Sequence, residues 1–283
     1  MNILTFDIED WWVYEKYSME SKIHYLPRLN SYLDDILAFL DKKSFQATFF
    51  CLGEVAAKYP EVIRKIDSRG HDIGCHSNSH RFLWSCTPQE VEEDTRIAID
   101  TLENIIGKKV TAYRAPAFSI TEGNKWVFEI LANNGITHDC SIYSAKRSFG
   151  GFPELNYQEP FRVNYNGTRI KEFPMSTTKF FGRGIGYSGG GYFRLFPYWK
   201  IRSIVQKSNY VMTYFHLKDF DKEQIRQYSD FYGESALSRY FKDYYRLNSN
   251  YFKYTKLVSE FDFISVKQAD RKISWGDTPN VHL

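Results

Sequence analysis

At 283 residues, with 43% hydrophobic and 25% charged side chains, the chain can bury a large core without disulfide or metal staples, and its composition excludes a disordered chain. The 37 basic residues against 34 acidic ones leave a formal charge of +3, and no Lys/Arg run is dense enough to read as a nucleic-acid surface. No apolar run approaches the roughly 18 residues that span a bilayer. The opening Met1-Asn2-Ile3-Leu4-Thr5-Phe6-Asp7 lacks the basic leader of a secretory signal. Cys51, Cys75, Cys86 and Cys140 form no CxxC pair, so free thiols in the cytoplasm are expected.

In chain order, residues 3–7 are a short apolar run ending in an acid and read as a strand. Residues 27–43 carry Leu29, Leu33, Ile36, Leu37 and Leu40 at helical spacing, and residues 46–52 read as a second buried strand closed by Gly53. A short helix follows at 60–69, stopped by Gly70, and a third strand at 71–75. Thr87 as N-cap, Pro88 in the first turn and Glu90 completing a capping box open the clearest helix. Its apolar face is Val91, Ala98, Leu102 and Ile105, and Gly107 ends it. A strand at 110–114, a helix at 121–134 and a strand at 136–140 continue the alternation. The pattern predicts an α/β domain with a parallel sheet or barrel, its functional groups at the strand C-termini.

Between residues 144 and 192 the periodicity weakens among many glycines, which predicts long loops with one strand at 170–173. A helix at 196–207, strands at 211–215 and 263–266, and a helix at 235–248 complete the reading. With no internal repeat or clean linker, a single domain over 1–283 is expected.

Four polar clusters stand just after predicted strands: Asp7-Ile8-Glu9-Asp10, His76 to His80, Arg114-Ala115-Pro116-Ala117, and His216. Histidines at i and i+4 on a helical turn reach one ion, and a carboxylate as third ligand gives the open site that hydrolytic zinc needs. Asp7 and Glu9 share a side if the strand continues, so one acid can bind metal while the other takes a proton from water. Arg114 is suited to pair a buried acid bidentately. His216, ending a very apolar run, suits a general acid for a leaving amine. Trp11 and Trp12 beside the acids suggest a pocket wall.

Together these clusters resemble the polysaccharide deacetylases, the carbohydrate esterase family 4 group. Thr5-Phe6-Asp7 resembles the first motif and His76-Ser77-x-x-His80 the second, with Arg114-Ala115-Pro116 as the third. Asp139-Cys140-Ser141-Ile142-Tyr143 looks like the fourth and Tyr214-Phe215-His216 like the fifth. The stretch from Gly189 to Tyr198 is similar to deacetylases found with bacterial exopolysaccharide and exosortase gene clusters. The resemblance implies a distorted (β/α) barrel of about seven parallel strands with long loops on its C-terminal face. It implies a divalent, zinc-type ion held by His76, His80 and a carboxylate, with Asp7 as base and His216 as acid. Arg114 would orient Asp7, the Ala117 amide would hold the oxyanion, and Asp139 would join the catalytic set.

Two departures stand out. Ile8 occupies the place of the usual second aspartate, leaving Glu9 and Asp10 as rival ligands. The fifth motif continues His216-Leu217-Lys218-Asp219 where those relatives often carry His-Pro-Trp-Glu. The implied activity is hydrolysis of an N-acetyl group from an amino sugar in a surface glycan, oligosaccharide or precursor, with Trp11, Trp12, Tyr143 and Tyr192 against the sugar rings. Rival readings are hydrolysis of a small ureide or formylated sugar, and a non-catalytic glycan-binding module. The implied partner is an N-acetylated glycan; no motif speaks to oligomeric state.

Overall fold

The computed structural model describes residues 1–10, 19–147, 149–224 and 235–283, without the side chains of residues 19–25, 238, 239 and 242. Strands β1 (Asn2–Ile3) and β2 (Thr5–Ile8) lead into α1 (Met19–Lys43), and β3 (Thr48–Cys51) into α2 (Gly53–Lys58) and α3 (Pro60–Ser68). Next come β4 (Asp72–Cys75) with α4 (Pro88–Ile106), β5 (Ala112–Tyr113) with α5 (Val127–Asn133), and β6 (His138–Asp139). Strands β7 (Phe161–Tyr165), β8 (Thr168–Glu172), β9 (Thr177–Phe180) and β10 (Arg183–Gly186) precede α6 (Gly190–Leu195) and α7 (Tyr198–Lys207). The chain closes with β11 (Val211–Met212), β12 (Phe215–His216), α8 (Ala236–Tyr244), α9 (Asn250–Glu260), α10 (Val266–Lys272) and β13 (Asn280–His282).

The main sheet runs β12-β2-β3-β4-β5-β6-β8-β7-β13, and β1 pairs separately with β11. Pairing is parallel from β12 through β2 to β8. Counting β1–β2 and β11–β12 as one interrupted strand each, these are the seven parallel strands of a distorted (β/α) barrel. Across the seam between the chain after β8 and β11, the Tyr210 hydroxyl donates to the Pro174 carbonyl at 2.9 Å and the Met212 N–H to the Ser176 hydroxyl at 2.8 Å. Because the strands are parallel, their C-terminal ends gather the four polar clusters on one face.

The capping box of α4 is present: the Thr87 hydroxyl accepts from the Glu90 N–H, and the Glu90 carboxylate accepts from the Thr87 N–H. Gly107 closes the helix at φ 67°, and Val91, Ala98 and Leu102 are buried. In the core, Phe6 stacks on Phe49 at 4.8 Å and meets Tyr254 of α9 edge-on at 5.9 Å. Such pairs contribute about 0.5–1.5 kcal/mol each beyond burial, and they tie the last third of the chain to the strand that carries Asp7.

Several expectations need correction. The stretch 144–192 holds four strands rather than one. Its hairpins turn on Asn166-Gly167 and Phe181-Gly182, all four residues at positive φ, as a two-residue type I′ turn requires. The expected strand at 263–266 is a single bridge from Ile264 to Ile3, because Ser265 and Gln268 form a capping box that starts α10. Pro197 splits the expected helix at 196–207, which begins only at Tyr198. Among the described residues no helix is long and apolar enough to cross a membrane.

Candidate active site

Asp7 and His216 are register partners on β2 and β12, so the proposed base and acid lie side by side before any side chain is placed. Glu9 follows β2 directly and is buried. His76 and His80 come from the loop after β4, which is not the helical turn expected from the i, i+4 spacing. Ser77 and His80 adopt left-handed backbones (φ 66° and 56°), the His80 N–H donates to the Ser77 hydroxyl, and Asp94 of α4 accepts from the N–H groups of Asn78 and Ser79. This tight loop brings the two imidazoles to 5.3 Å between centroids.

The ligand-capable atoms of Glu9, His76 and His80 all lie within 4.8 Å of one another. Glu9 Oε2 is 2.6 Å from His80 Nε2 and 3.3 Å from His76 Nε2. His76 Nδ1 is 2.8 Å from the Arg114 carbonyl oxygen. A carbonyl only accepts, so Nδ1 carries the proton and Nε2 presents its lone pair to the cluster. Two imidazoles and one carboxylate suit a divalent ion with open positions. Asp10, the rival ligand, is turned away: its Oδ2 accepts from the Lys218 N–H at 2.9 Å, and Oδ1 lies 3.8 Å from Lys218 Nζ.

Burial by itself would raise the Glu9 carboxyl; the positive charges of His80, Lys218 and His216 outweigh it and hold Glu9 well below the ordinary range. For Asp10 burial wins and pushes its carboxyl up to about 6 against the pull of Lys218 and His216. A charged Glu9 is the form a cation needs.

Arg114 is fully buried. Its Nη1 donates to Asp7 Oδ1 at 2.7 Å and to the Thr5 hydroxyl at 2.8 Å, Nε donates to the Cys140 carbonyl at 3.3 Å, and the guanidinium lies 4.3 Å over the Phe50 ring. The pairing with Asp7 is thus single-point rather than bidentate, the other donors being spent on fixing the arginine. Ala117 lies in the turn Pro116–Phe118 at φ 51°, with Phe118 at φ 56°. Backbone strain of this kind, about 1–3 kcal/mol per residue, persists where surrounding contacts impose it. The amide of Ala117 belongs to the first turn, where N–H groups lack a partner within the helix.

His216 Nε2 stands 3.5 Å from Glu9 Oε1 and 3.8 Å from Asp7 Oδ2, and Nδ1 is 3.2 Å from Asp219 Oδ2. Burial lowers the imidazole, but Glu9 and the Asp219 bond outweigh it and push His216 up to about 9. Asp219 forms a buried ion pair with Arg194 of α6. Lys253 of α9 donates to the carbonyls of Arg194 and Phe196 at 2.6 and 2.8 Å, closing the end of α6. Gly189, just before α6, bridges to Tyr214 so closely that a Cβ there would lie 1.7 Å from the Tyr214 carbonyl oxygen. Asp219, Arg194 and Lys218, whose Nζ is 3.2 Å from Glu9 Oε1, escaped the sequence reading. The Asp three residues after His216 was the visible signal for the first.

Of the other expected site residues, Tyr143 is a correction: it is only 4% exposed, its hydroxyl accepts from the Gly186 N–H, and Arg147 covers its ring at 4.6 Å. It is wall, with no face left for a sugar. Tyr192 on α6 is half-buried. Asp139 is fully buried and does not touch His216; its Oδ1 accepts from the Ser141 hydroxyl. Trp11 and Trp12 lie outside the described residues.

Residues 3–137 match the polysaccharide deacetylase family model, and residues 140–271 match a domain of unknown function, DUF3473. A chitooligosaccharide deacetylase of Bradyrhizobium sp. (strain ANU 289) is 27% identical over 100 residues, 35% of this chain and 43% of that protein. A peptidoglycan-N-acetylglucosamine deacetylase of Bacillus cereus is 34% identical over 95 residues, 33% of this chain and 34% of that protein. These matches span between a third and a half of each relative's length. In structure, a putative polysaccharide deacetylase from Mycobacterium smegmatis matches over 100% of this chain and 92% of that one, with TM-score 0.67 at 17% identity. A family 4 pseudoenzyme from Bacillus anthracis matches over 100% and 68%, with TM-score 0.51 at 14% identity. The fold is that of the carbohydrate esterase family 4 deacetylases. Residues 3–137 of this chain belong to the polysaccharide deacetylase family.

Proposed function

We propose that the protein hydrolyses the N-acetyl amide of an amino sugar in a glycan and releases acetate, using a divalent ion, zinc by its donor set, held by Glu9, His76 and His80. One observation carries the reading: three ligand atoms within 4.8 Å of one another, flanked by Asp7 and His216 at 3.8 Å from each other. Because the same fold also serves a pseudoenzyme, these side chains and not the fold support activity. The bound ion supplies Lewis-acid polarisation of the amide carbonyl and acidifies water.

The chain's own residues do the rest. Asp7, oriented by Arg114, accepts the proton of the attacking water. The Ala117 N–H donates to the oxygen that gains charge; losing one such donor typically costs about 3 kcal/mol. Asp219 occupies Nδ1 of His216, so the nitrogen that delivers a proton to the leaving amine is Nε2. Tyr192, with Trp11, is assigned to the sugar. Residues 1–283 act as one catalytic domain, a reading supported by the sheet that continues from β5 through β8. The segment from Gly189 to Tyr198, resembling exopolysaccharide-linked deacetylases, supports a surface-glycan precursor as substrate. Four free cysteines are compatible with a reducing compartment.

The test is acetate release from N-acetylated chitooligosaccharides and peptidoglycan fragments by zinc-loaded protein, with formylated sugars and ureides alongside. Acetate from the first group, abolished by a chelator and restored by zinc, is expected. Turnover confined to formyl or ureide substrates, or zinc-loaded protein that binds glycan without releasing acetate, overturns the assignment.

A further inference from the structure

Asp139 and Glu172 are register partners on β6 and β8, both fully buried. Among the described residues Asp139 Oδ2 and Glu172 Oε2 have no other polar partner, so the two carboxyl groups are left to act on each other. Two buried carboxyls in such contact cannot both be ionised, so the pair shares a proton. Burial and the Asp139 charge raise Glu172 well above the ordinary carboxylate range. The pair is also tied to the backbone: Glu172 Oε1 accepts from the Ile142 N–H at 3.0 Å, and Asp139 Oδ1 from the Ser141 hydroxyl at 2.5 Å. The Ser141 oxygen in turn accepts from the Ala115 N–H at 2.7 Å.

That N–H belongs to the same peptide unit as the Arg114 carbonyl, the group that accepts from His76 Nδ1. The hydrogen bonds therefore run in one direction, from His76 through the Arg114–Ala115 peptide and Ser141 to Asp139, beside whose carboxyl Glu172 is buried. Each donor in such a chain polarises the next, and the orientation of a histidine's distal nitrogen fixes its tautomer and ring plane.

We propose that Ser141, Asp139 and Glu172 are positioning residues that fix the His76 imidazole, through the Arg114–Ala115 peptide, in the tautomer and plane needed to hold the metal. The inference rests on the reading of Glu9, His76 and His80 as ligands. It gives Asp139 a different task from direct participation in the reaction, and it gives Glu172, which no motif singled out, a task at all. It also links the two halves of the chain: His76 and the peptide lie in the first, Ser141 and Glu172 in the second.

The test titrates metal-free protein with zinc against a chromophoric chelator and follows the visible spectrum with cobalt. Removing an outer partner of a ligating histidine typically weakens metal binding 10–100-fold. Ser141→Ala leaves the Arg114 carbonyl in place but removes its support, and should weaken binding about tenfold, the lower end of that range, while the melting temperature of the metal-free protein shows that it folds. Glu172→Gln should bind zinc within about threefold of wild type, because its amide can accept from Ile142 and donate to Asp139 as the protonated acid does. Glu172→Leu should lose at least the tenfold of Ser141→Ala.

Wild-type affinity in Ser141→Ala overturns the relay, and so does a Glu172→Gln variant as weak as Glu172→Leu. Should Glu172→Leu fail to fold, Ser141→Ala decides. If wild-type protein takes up no zinc, the metal reading itself fails and the relay with it; normal wild-type uptake with unaffected variants removes the relay alone.

Discussion

The two halves of the chain hold their reactive groups by different physics. In the first, Glu9, His76, His80 and Asp7 sit at the ends of parallel strands and are oriented mainly by backbone carbonyls, N–H groups and one buried arginine. In the second, His216 is held by charge: Asp219 on its ring, Arg194 on Asp219, and Lys253 on the backbone that carries Arg194. On the proposed reading, Glu9, His76 and His80 offer a place for a cation, whereas the network around His216 offers a place for a proton. A change at His76 should therefore cost the metal, whereas a change in the charge network around His216 should cost turnover and spare the metal.

The largest effects test the first half. His76→Ala should remove stoichiometric zinc, and with it turnover, since a two-ligand remnant does not complete the site. Asp7→Asn should keep the zinc and lower turnover on the order of 10²–10⁴-fold, the usual worth of a general base. Metal analysis alongside acetate release separates the two. Full activity in Asp7→Asn would return the role of base to another group.

The charge network around His216 should break without metal loss. Arg194→Met takes the nearest cation from the buried Asp219 carboxylate and leaves it only His216, a change that typically costs up to about 3–5 kcal/mol of stability. The double variant Arg194→Met/Asp219→Asn removes that stranded charge, so its melting temperature should recover toward wild type. Its turnover should not recover, because the proton donor has lost its orienting carboxylate, and zinc content should stay at the wild-type level in both. If zinc is lost along with turnover, the halves are not separable.

The same contrast explains what could be read from the sequence. Strand–helix alternation through residue 140, the Thr87 cap and the polar clusters after the strands were legible because each rests on local chemistry. Glu9 over Asp10 was not legible. That choice depends on where Lys218, more than 200 residues away, places its N–H and ammonium. Arg194 and Glu172 were equally hidden, since a buried charge looks like a surface one until its partner is known. The hairpins at Asn166-Gly167 and Phe181-Gly182 are a different case. The Asn-Gly turn was a readable signal, outweighed by the many other glycines of that stretch.

Acid should distinguish the halves by a smaller margin. His71 lies at the start of β4, buried, with Nδ1 accepting from the Ala47 N–H at 3.3 Å. Burial, which outweighs the opposing pull of Asp41, lowers its imidazole from 6.5 to about 4. A depressed histidine contributes stability that is fully present above its unfolded value. As pH falls below about 6.5 the unfolded chain takes up the proton first, and the loss is complete once the folded imidazole also protonates near 4. The full loss is on the order of 3 kcal/mol. Over the same window the Arg194–Asp219 pair stays charged, because Arg194 and His216 outweigh burial and hold Asp219 well below the ordinary carboxylate value. Between pH 6.5 and 4 the His71 loss is opposed by Asp10, whose carboxyl, raised to about 6, gains stability as it takes up its proton. Against wild type, His71→Gln should therefore shift the slope toward higher melting temperature at pH 4, since its amide accepts from Ala47 without titrating. An unchanged slope in His71→Gln would move the acid sensitivity to the carboxylates and remove this difference between the halves.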